Sequence, residues 1–233
     1  MKALYKKEIQ FYFNNPIGYI VIVLFAATIN FLYIKDIFIM GIASMKQFFS
    51  FIPWILLFFI PALSMRIFSE EKRTNTMEVL LTLPITETQI VVSKFLALLS
   101  LIVIGLSLTI ALPFHLSTST KIYIPEILVG YFGIILFSSF FLAISLFYSL
   151  KTKNQIVSFL LSLITLFMLL GISSDLFSGT IPKFMQDILI FFSPLFHLQN
   201  FIKGILDLRS ILFFLSGTIL FIVLTVFELE KRD

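Results

Sequence analysis

Apolar residues run in long blocks along this chain, and short polar clusters separate the blocks. A bilayer core requires about 20 consecutive apolar residues per helix, within a range of about 17–25. Six segments satisfy that length, and we predict that each is a transmembrane helix: Ile17–Ile34, Phe48–Ile67, Ile90–Leu112, Ile127–Leu150, Ile156–Ile172 and Ile211–Phe227. The pattern predicts an all-α integral membrane protein with residues 1–233 in one transmembrane domain.

Composition supports lipid as the main solvent of this chain. Of its 233 residues, 59% are hydrophobic and 13% are charged, and the mean hydropathy is +1.05. Soluble domains average about 45–50% apolar and about 25% charged residues. The net charge of +4 lies in short clusters between apolar blocks, which indicates membrane topology and not nucleic-acid binding. With no cysteine, the chain cannot form disulfides, Cys-ligated zinc sites or iron–sulfur clusters.

Lys and Arg residues set the orientation of the predicted spans, because cytoplasmic segments carry an excess of them. If the N-terminus is inside, eleven basic residues are cytoplasmic and six are outside, so we predict that both termini are cytoplasmic. The inside set is Lys2, Lys6, Lys7, Arg66, Lys72, Arg73, Lys94, Lys151, Lys153, Lys231 and Arg232, and the outside set is Lys35, Lys46, Lys121, Lys183, Lys203 and Arg209.

The N-terminal segment, residues 1–15, has the pattern of an amphipathic helix. Its apolar face carries Leu4, Tyr5, Ile9, Tyr12 and Phe13, its polar face carries Lys6, Lys7 and Gln10, and Glu8 intrudes on the apolar side. Such a helix lies in the interface, with its lysines near anionic headgroups. A solvated charged leader is the alternative.

The connection between the second and third spans, residues 69–88, predicts a short helix over Thr76–Leu83 that ends at Pro84. Asn75 and Glu78 have the spacing of a capping box. Two helical turns are not stable alone in water, so this helix must dock on something through its apolar stripe. That stripe is Met77, Leu80 and Leu81.

The same connection predicts the start of the third span, since Thr86 and Gln89 have capping spacing. A packed loop with ordinary helix caps is the alternative to a docking helix here. In the outer connection, residues 173–210, Phe184–Phe192 and Leu195–Leu206 are each too short to span. We predict a re-entrant or interfacial helical pair there, with a surface loop resting on lipid as the alternative.

Candidate catalytic chemistry is missing from the sequence. The predicted spans contain no Asp or Glu, and Lys94 is expected to snorkel to the cytoplasmic interface. We interpret His115 and His197 as polar interfacial residues, and Asp175 and Asp187 as loop residues. There is no zinc-protease motif, no serine nucleophile elbow and no phosphate-binding loop. If ATP drives this protein, another chain hydrolyses it.

The run Phe51–Ala97 is similar to the signature region of ABC-2 type permeases. It contains the acidic pair Glu70–Glu71, then a T-x-E-x-L-L-x-x-P-I pattern from Thr76 to Ile85, then Lys94. The run Ser193–Ser216 resembles the outer region of the branch that includes gliding-motility and nitrous-oxide-reductase-accessory permeases. Many family members have Gly at the position of Asn75 or Thr76.

The resemblance implies a permease subunit of an exporter in the bacterial cytoplasmic membrane. It implies a second permease subunit and a separate ATP-binding subunit that carries ATP and Mg²⁺, with no cofactor in this chain. The N-terminal helix would be the family's elbow helix. The partner-coupling residues would be Asn75, Thr76, Met77, Glu78, Leu80, Leu81 and Pro84, beside the charged cluster Arg66, Glu70, Glu71, Lys72 and Arg73. A membrane assembly protein and an ion-driven secondary transporter are the rival functions.

Overall fold

The computed structural model describes residues 1–40, 45–82, 84–113, 124–171 and 190–231. The regular elements in these ranges are helices, which confirms the all-α prediction. They are α1 (Lys2–Asn14), α2 (Pro16–Met40), α3 (Met45–Ser64), α4 (Ser69–Arg73), α5 (Thr76–Leu81), α6 (Glu87–Ser107), α7 (Ile124–Lys151), α8 (Gln155–Gly171), α9 (Pro194–Ile202) and α10 (Leu208–Glu230).

Five helical segments of the described chain are long and apolar enough to cross a membrane. They are Gly18–Ile39, Met45–Arg73, Glu87–Pro113, Ile124–Lys151 and Leu208–Glu230. Helix α8 is apolar but has 17 residues, which rise about 25 Å against a bilayer core of about 30 Å. These helices support a multi-pass membrane protein, and the six-span layout stays a prediction.

Helix α2 extends beyond its predicted end at Ile34 and reaches Met40. The candidate span of this helix therefore includes Lys35 and Asp36, which lie beyond the end of the predicted span. Neither residue breaks a helix, so the backbone hydrogen bonds continue past the point where the apolar pattern stops. Helix α3 likewise continues through its two internal prolines, as membrane helices can when neighbours satisfy the freed carbonyls.

Helix α7 lies at the centre of the bundle and packs against α3, α6, α8, α9 and α10. Close approach at this centre depends on small residues. At Gly133 a Cβ atom would clash with the side chain of Phe201, so glycine permits α9 to lie directly on α7. The core contains many aromatic rings, including edge-to-face contacts between Phe137 and Phe214.

Helix α9 confirms one member of the helical pair predicted before the last span. It begins after Ser193, whose hydroxyl accepts a hydrogen bond from the Phe196 amide, and it ends at Ile202, before Gly204 with φ +75°. Residues 172–189, which include most of the other predicted member and both loop aspartates, lie outside the described residues, as does His115. His197 is buried, and its ring stacks on Phe213, while its interfacial position in the membrane stays a prediction.

Candidate functional site

The functional candidate is the turn between α3 and α4, which we call the α3–α4 joint (residues Leu63–Ser69). Helix α3 ends at Ser64 and α4 begins at Ser69. A helix end leaves carbonyl groups without intrahelical donors, and a buried end needs donors from elsewhere. Three other helices supply those donors, and each contributes one side chain.

Tyr12 on α1 is the first of these donors. Its hydroxyl donates a hydrogen bond of 2.7 Å to the Leu63 carbonyl. Burial, with Glu8 nearby, raises the pKa of Tyr12 above its ordinary value, so the phenol stays protonated and keeps its donor. The contact attaches the N-terminal helix to the end of α3.

Ser149 on α7 is the second donor, and it is fully buried. Its hydroxyl donates to the Met65 carbonyl at 3.2 Å and accepts from the Phe68 amide, also at 3.2 Å. A single hydroxyl thus satisfies both kinds of backbone group that the break in the helix leaves open. The central helix therefore fixes the geometry of the joint.

Lys94 on α6 is the third donor, and its side chain is 1% exposed. Its ammonium group donates to Glu8 Oε1 at 2.9 Å, to Glu71 Oε1 at 2.7 Å and to the Ile67 carbonyl at 3.2 Å. An ammonium has three N–H groups, so every one has a partner. The expectation that Lys94 snorkels to the interface is wrong, because two carboxylates and a carbonyl replace its water.

Glu8, Lys94 and Glu71, which we call the ion triad, join α1, α6 and α4. Glu8 looked misplaced on the apolar face of α1, and the triad explains it, since that face packs on α6. Burying charges is costly unless they are paired and hydrogen-bonded. The pairing makes the position of α1 specific, because any other register would leave buried charges without partners.

Glu70, the neighbour of Glu71, makes a different set of contacts. Its carboxylate binds Arg66 Nη2 at 2.9 Å and Arg73 Nη2 at 3.1 Å. It also accepts a hydrogen bond of 2.8 Å from Gln155 Nε2, on the first residue of α8. The acidic pair is therefore divided, with one carboxylate directed to α1 and α6 and the other to α8.

The remaining members of the charged cluster lie on either side of these contacts. Lys72 is buried at 5% exposure, whereas the Arg73 side chain is 63% exposed. The Arg66 guanidinium also lies over the Phe11 ring on α1, 5.7 Å from its centroid. A cleft of about 270 Å³ lies between α1 and α4, and Lys7 and Thr76 are among the residues that line it.

Helix α5 packs on this assembly as a short helix of six residues, Thr76–Leu81. Met77 and Leu80 are each 6% exposed and belong to the core of the chain itself, and Leu81 packs beside them. The predicted apolar stripe exists, and it packs against the chain's own core. A role of these residues in partner contact stays a prediction.

The outward surface of α5, which we call the α5 outer face, consists of other residues. Val79 is 65% exposed, and Glu78, Thr82 and Pro84 are exposed as well. This surface is mixed in character, with one branched apolar side chain among polar groups. Sequence reasoning missed Val79 because it lies between the two buried positions of the stripe.

The predicted capping box at α5 is wrong. Asn75 has left-handed backbone geometry, φ 55° and ψ 20°, and makes no side-chain cap. A capping side chain needs extended geometry, whereas asparagine tolerates the left-handed region better than most residues. The Thr74 and Thr76 hydroxyls, 3.0 Å apart, connect α4 to α5 instead.

The predicted cap of α6 is confirmed, because the Thr86 hydroxyl accepts from the Gln89 amide at 3.3 Å. We call Ser69–Leu81 the α4–α5 hairpin. The contacts of the α3–α4 joint fix its beginning, and the cap of α6 fixes the chain that follows it. Within the described part of the chain, no group of three or more His, Asp or Glu side chains is arranged to hold a metal ion.

Comparison with protein families adds the last observation. The family model described as ABC-2 family transporter protein matches residues 20–229, which is most of the chain and includes the joint, the hairpin and α6 to α10. A search of curated proteins gave no match. The match and the membrane-spanning helices together show that this chain belongs to the ABC-2 family of membrane transporter permeases.

Proposed function

We propose that this chain is the permease subunit of an ATP-driven exporter and that the α4–α5 hairpin is its contact with a separate ATP-binding subunit. The observation that supports this most is the ion triad, which fixes the hairpin to α1 and α6 by buried ion pairs. When a partner displaces a hairpin that is attached this firmly, α1 and α6 move with it and the hairpin keeps its shape. The proposal includes six spans, cytoplasmic termini and a pair of permease subunits.

The contact surface is the α5 outer face, which revises the residues expected from sequence. Met77 and Leu80 hold α5 against its own chain from behind. Val79 and Glu78, with Asn75, Thr76 and Pro84 at the ends, then face outward. In this arrangement the partner forms a groove around an exposed helix face, as in other helix-in-groove contacts.

Co-purification tests the proposal, with the ATP-binding subunit expressed beside wild-type or Val79→Asp permease. Loss of one anchor at an interface costs about 2 kcal/mol or more, so we expect at least a roughly thirtyfold loss of affinity. The control is Asn154→Asp, in the connection between α7 and α8. It adds the same charge at an exposed position and keeps a good helix cap. Unchanged affinity for Val79→Asp would refute the assignment of this face.

The rival functions give different results in the same experiment. A membrane assembly protein or an ion-driven transporter needs no ATP-binding subunit, so wild-type permease would recover none. The ion-driven alternative would use an intramembrane carboxylate, and the described spans place Asp36 near the end of α2. Transport that Asp36→Asn abolishes and that proceeds without ATP would favour that rival.

A further inference from the structure

Helix α8 lies at the side of the bundle, and polar contacts at its first residue and in its second half connect it to other helices. Its buried face packs against α3 and α7. Its opposite face is exposed, with Ile156 at 68% and Met168 at 66%. Near the outer half, the Thr165 hydroxyl donates to the Tyr148 hydroxyl of α7 at 3.0 Å.

The seam between α8 and its neighbours is formed partly by small polar side chains. Ser158 and Ser162 are buried on this seam, and their hydroxyls have no hydrogen-bond partner within the described residues. Small side chains at such a seam allow close helix packing. Since these two serines make no interhelical hydrogen bond, they do not fix the height of α8 against α3 and α7.

At the other end, Gln155 connects α8 directly to the hairpin. Its amide donates a 2.8 Å hydrogen bond to Glu70 Oε2, the oxygen that also binds Arg66. A hydrogen bond to a charged group is stronger than a typical bond between neutral groups. The bond joins the first residue of α8 to the centre of the charged cluster.

We propose that Glu70 and Gln155 are positioning residues that move α8 with the α4–α5 hairpin. This inference rests on the proposed function, because the partner must first displace the hairpin. When the hairpin shifts, the Glu70 carboxylate draws the start of α8 with it, and the seam of unbonded serines lets the helix slide. Motion at the ATP-binding subunit thereby reaches α8 through the hairpin and the charged cluster.

A single fluorophore on α8 tests this inference. The natural chain has no cysteine, so Met168→Cys gives one labelling site on the exposed side of α8. The labelled permease, reconstituted in nanodiscs with its ATP-binding subunit, is measured with and without ATP. We expect an ATP-dependent emission change that Gln155→Met abolishes, while binding of the ATP-binding subunit stays within about twofold.

A second pair of variants separates loss of the link from loss of folding. Gln155→Glu alone places a carboxylate against Glu70 and should also abolish the emission change. Glutamate in the first turn of a helix is stabilising, so helix damage does not explain that result. In the double variant Glu70→Gln with Gln155→Glu, the amide is at position 70 and the carboxylate at position 155, so the hydrogen bond can form in the opposite direction. We expect the emission change to return.

Thr165→Val is the matched control, because it removes the hydrogen bond between Thr165 and Tyr148 of α7 at nearly constant volume and should leave the change intact. An undiminished emission change in Gln155→Met or Gln155→Glu would overturn the inference and leave the proposed function standing. Failure of the double variant to restore the change would also overturn it. A wild-type complex that does not bind the ATP-binding subunit would refute the proposed function as well.

Discussion

Replacing Lys94 with methionine removes the ammonium group and keeps a side chain of similar length. In the variant, Glu8 and Glu71 lose their shared cation, and the Ile67 carbonyl loses a donor. The Glu8 side chain is 9% exposed and the Glu71 side chain 18%, so water replaces little of what is lost. The ion triad would then be reduced to two carboxylates with no cation from α6.

The expected cost follows from this burial. Removing one partner of a buried ion pair destabilises a protein by about 3–5 kcal/mol. The pair of Lys151 and Glu228, 3.1 Å apart, is the internal comparison, because its lysine is exposed whereas Lys94 is buried. Side-chain exposure there is 44% for the lysine and 20% for the glutamate, and exposed pairs contribute about 0–1 kcal/mol. Lys151→Met should therefore change stability by far less than Lys94→Met.

Unfolding in mixed micelles by SDS titration measures both variants. The chain has one tryptophan, Trp54 on α3, whose fluorescence reports on the helix that leads into the joint. We expect Lys94→Met to lower the free energy of unfolding by about 3–5 kcal/mol. Combining it with Glu8→Gln and Glu71→Gln should recover part of the loss, since no buried charge then lacks a partner. Equal effects of Lys94→Met and Lys151→Met would refute the reasoning.

Three further predictions concern the joint, the membrane topology and ATP hydrolysis. Ser149→Ala leaves backbone groups of the joint unsatisfied and should cost about 1–3 kcal/mol in the same titration, whereas a change under about 0.5 kcal/mol would contradict the assigned role. Reporter fusions at Lys46 and Lys153 should lie outside and inside the membrane, respectively, and the reverse result would invert the topology. The purified chain alone should show no vanadate-sensitive ATP hydrolysis, and measurable turnover without a partner would contradict that expectation.

The apolar helices could be predicted from sequence because the length of an apolar block is a local property. Each predicted span overlaps a helix of the structure, and the ends differ, for example where Lys35 and Asp36 continue α2. The Thr86 cap was also predictable, because its partner Gln89 is three residues away. Such features can be predicted because their geometry depends only on residues that are close together in the sequence.

The site was less predictable because it is made of contacts between residues far apart in sequence. Lys94 and Glu8 are separated by 86 positions, and no local pattern shows that a lysine near a membrane surface is buried with two carboxylates. The apolar stripe of α5 had the correct residues but an ambiguous partner. Periodicity identifies a face that packs against something, and it does not distinguish the chain's own core from the groove of another protein.

Site-specific crosslinking tests the central claim most directly, because the cysteine-free chain allows one thiol at a time. Val79→Cys and Leu80→Cys place that thiol on the exposed and the buried side of α5, at 65% and 6% exposure. With a short thiol-to-amine crosslinker in the assembled complex, Val79→Cys should form a covalent adduct with the ATP-binding subunit and Leu80→Cys should form none. An adduct at position 80 without one at position 79, or no adduct at either position, would contradict the proposed contact.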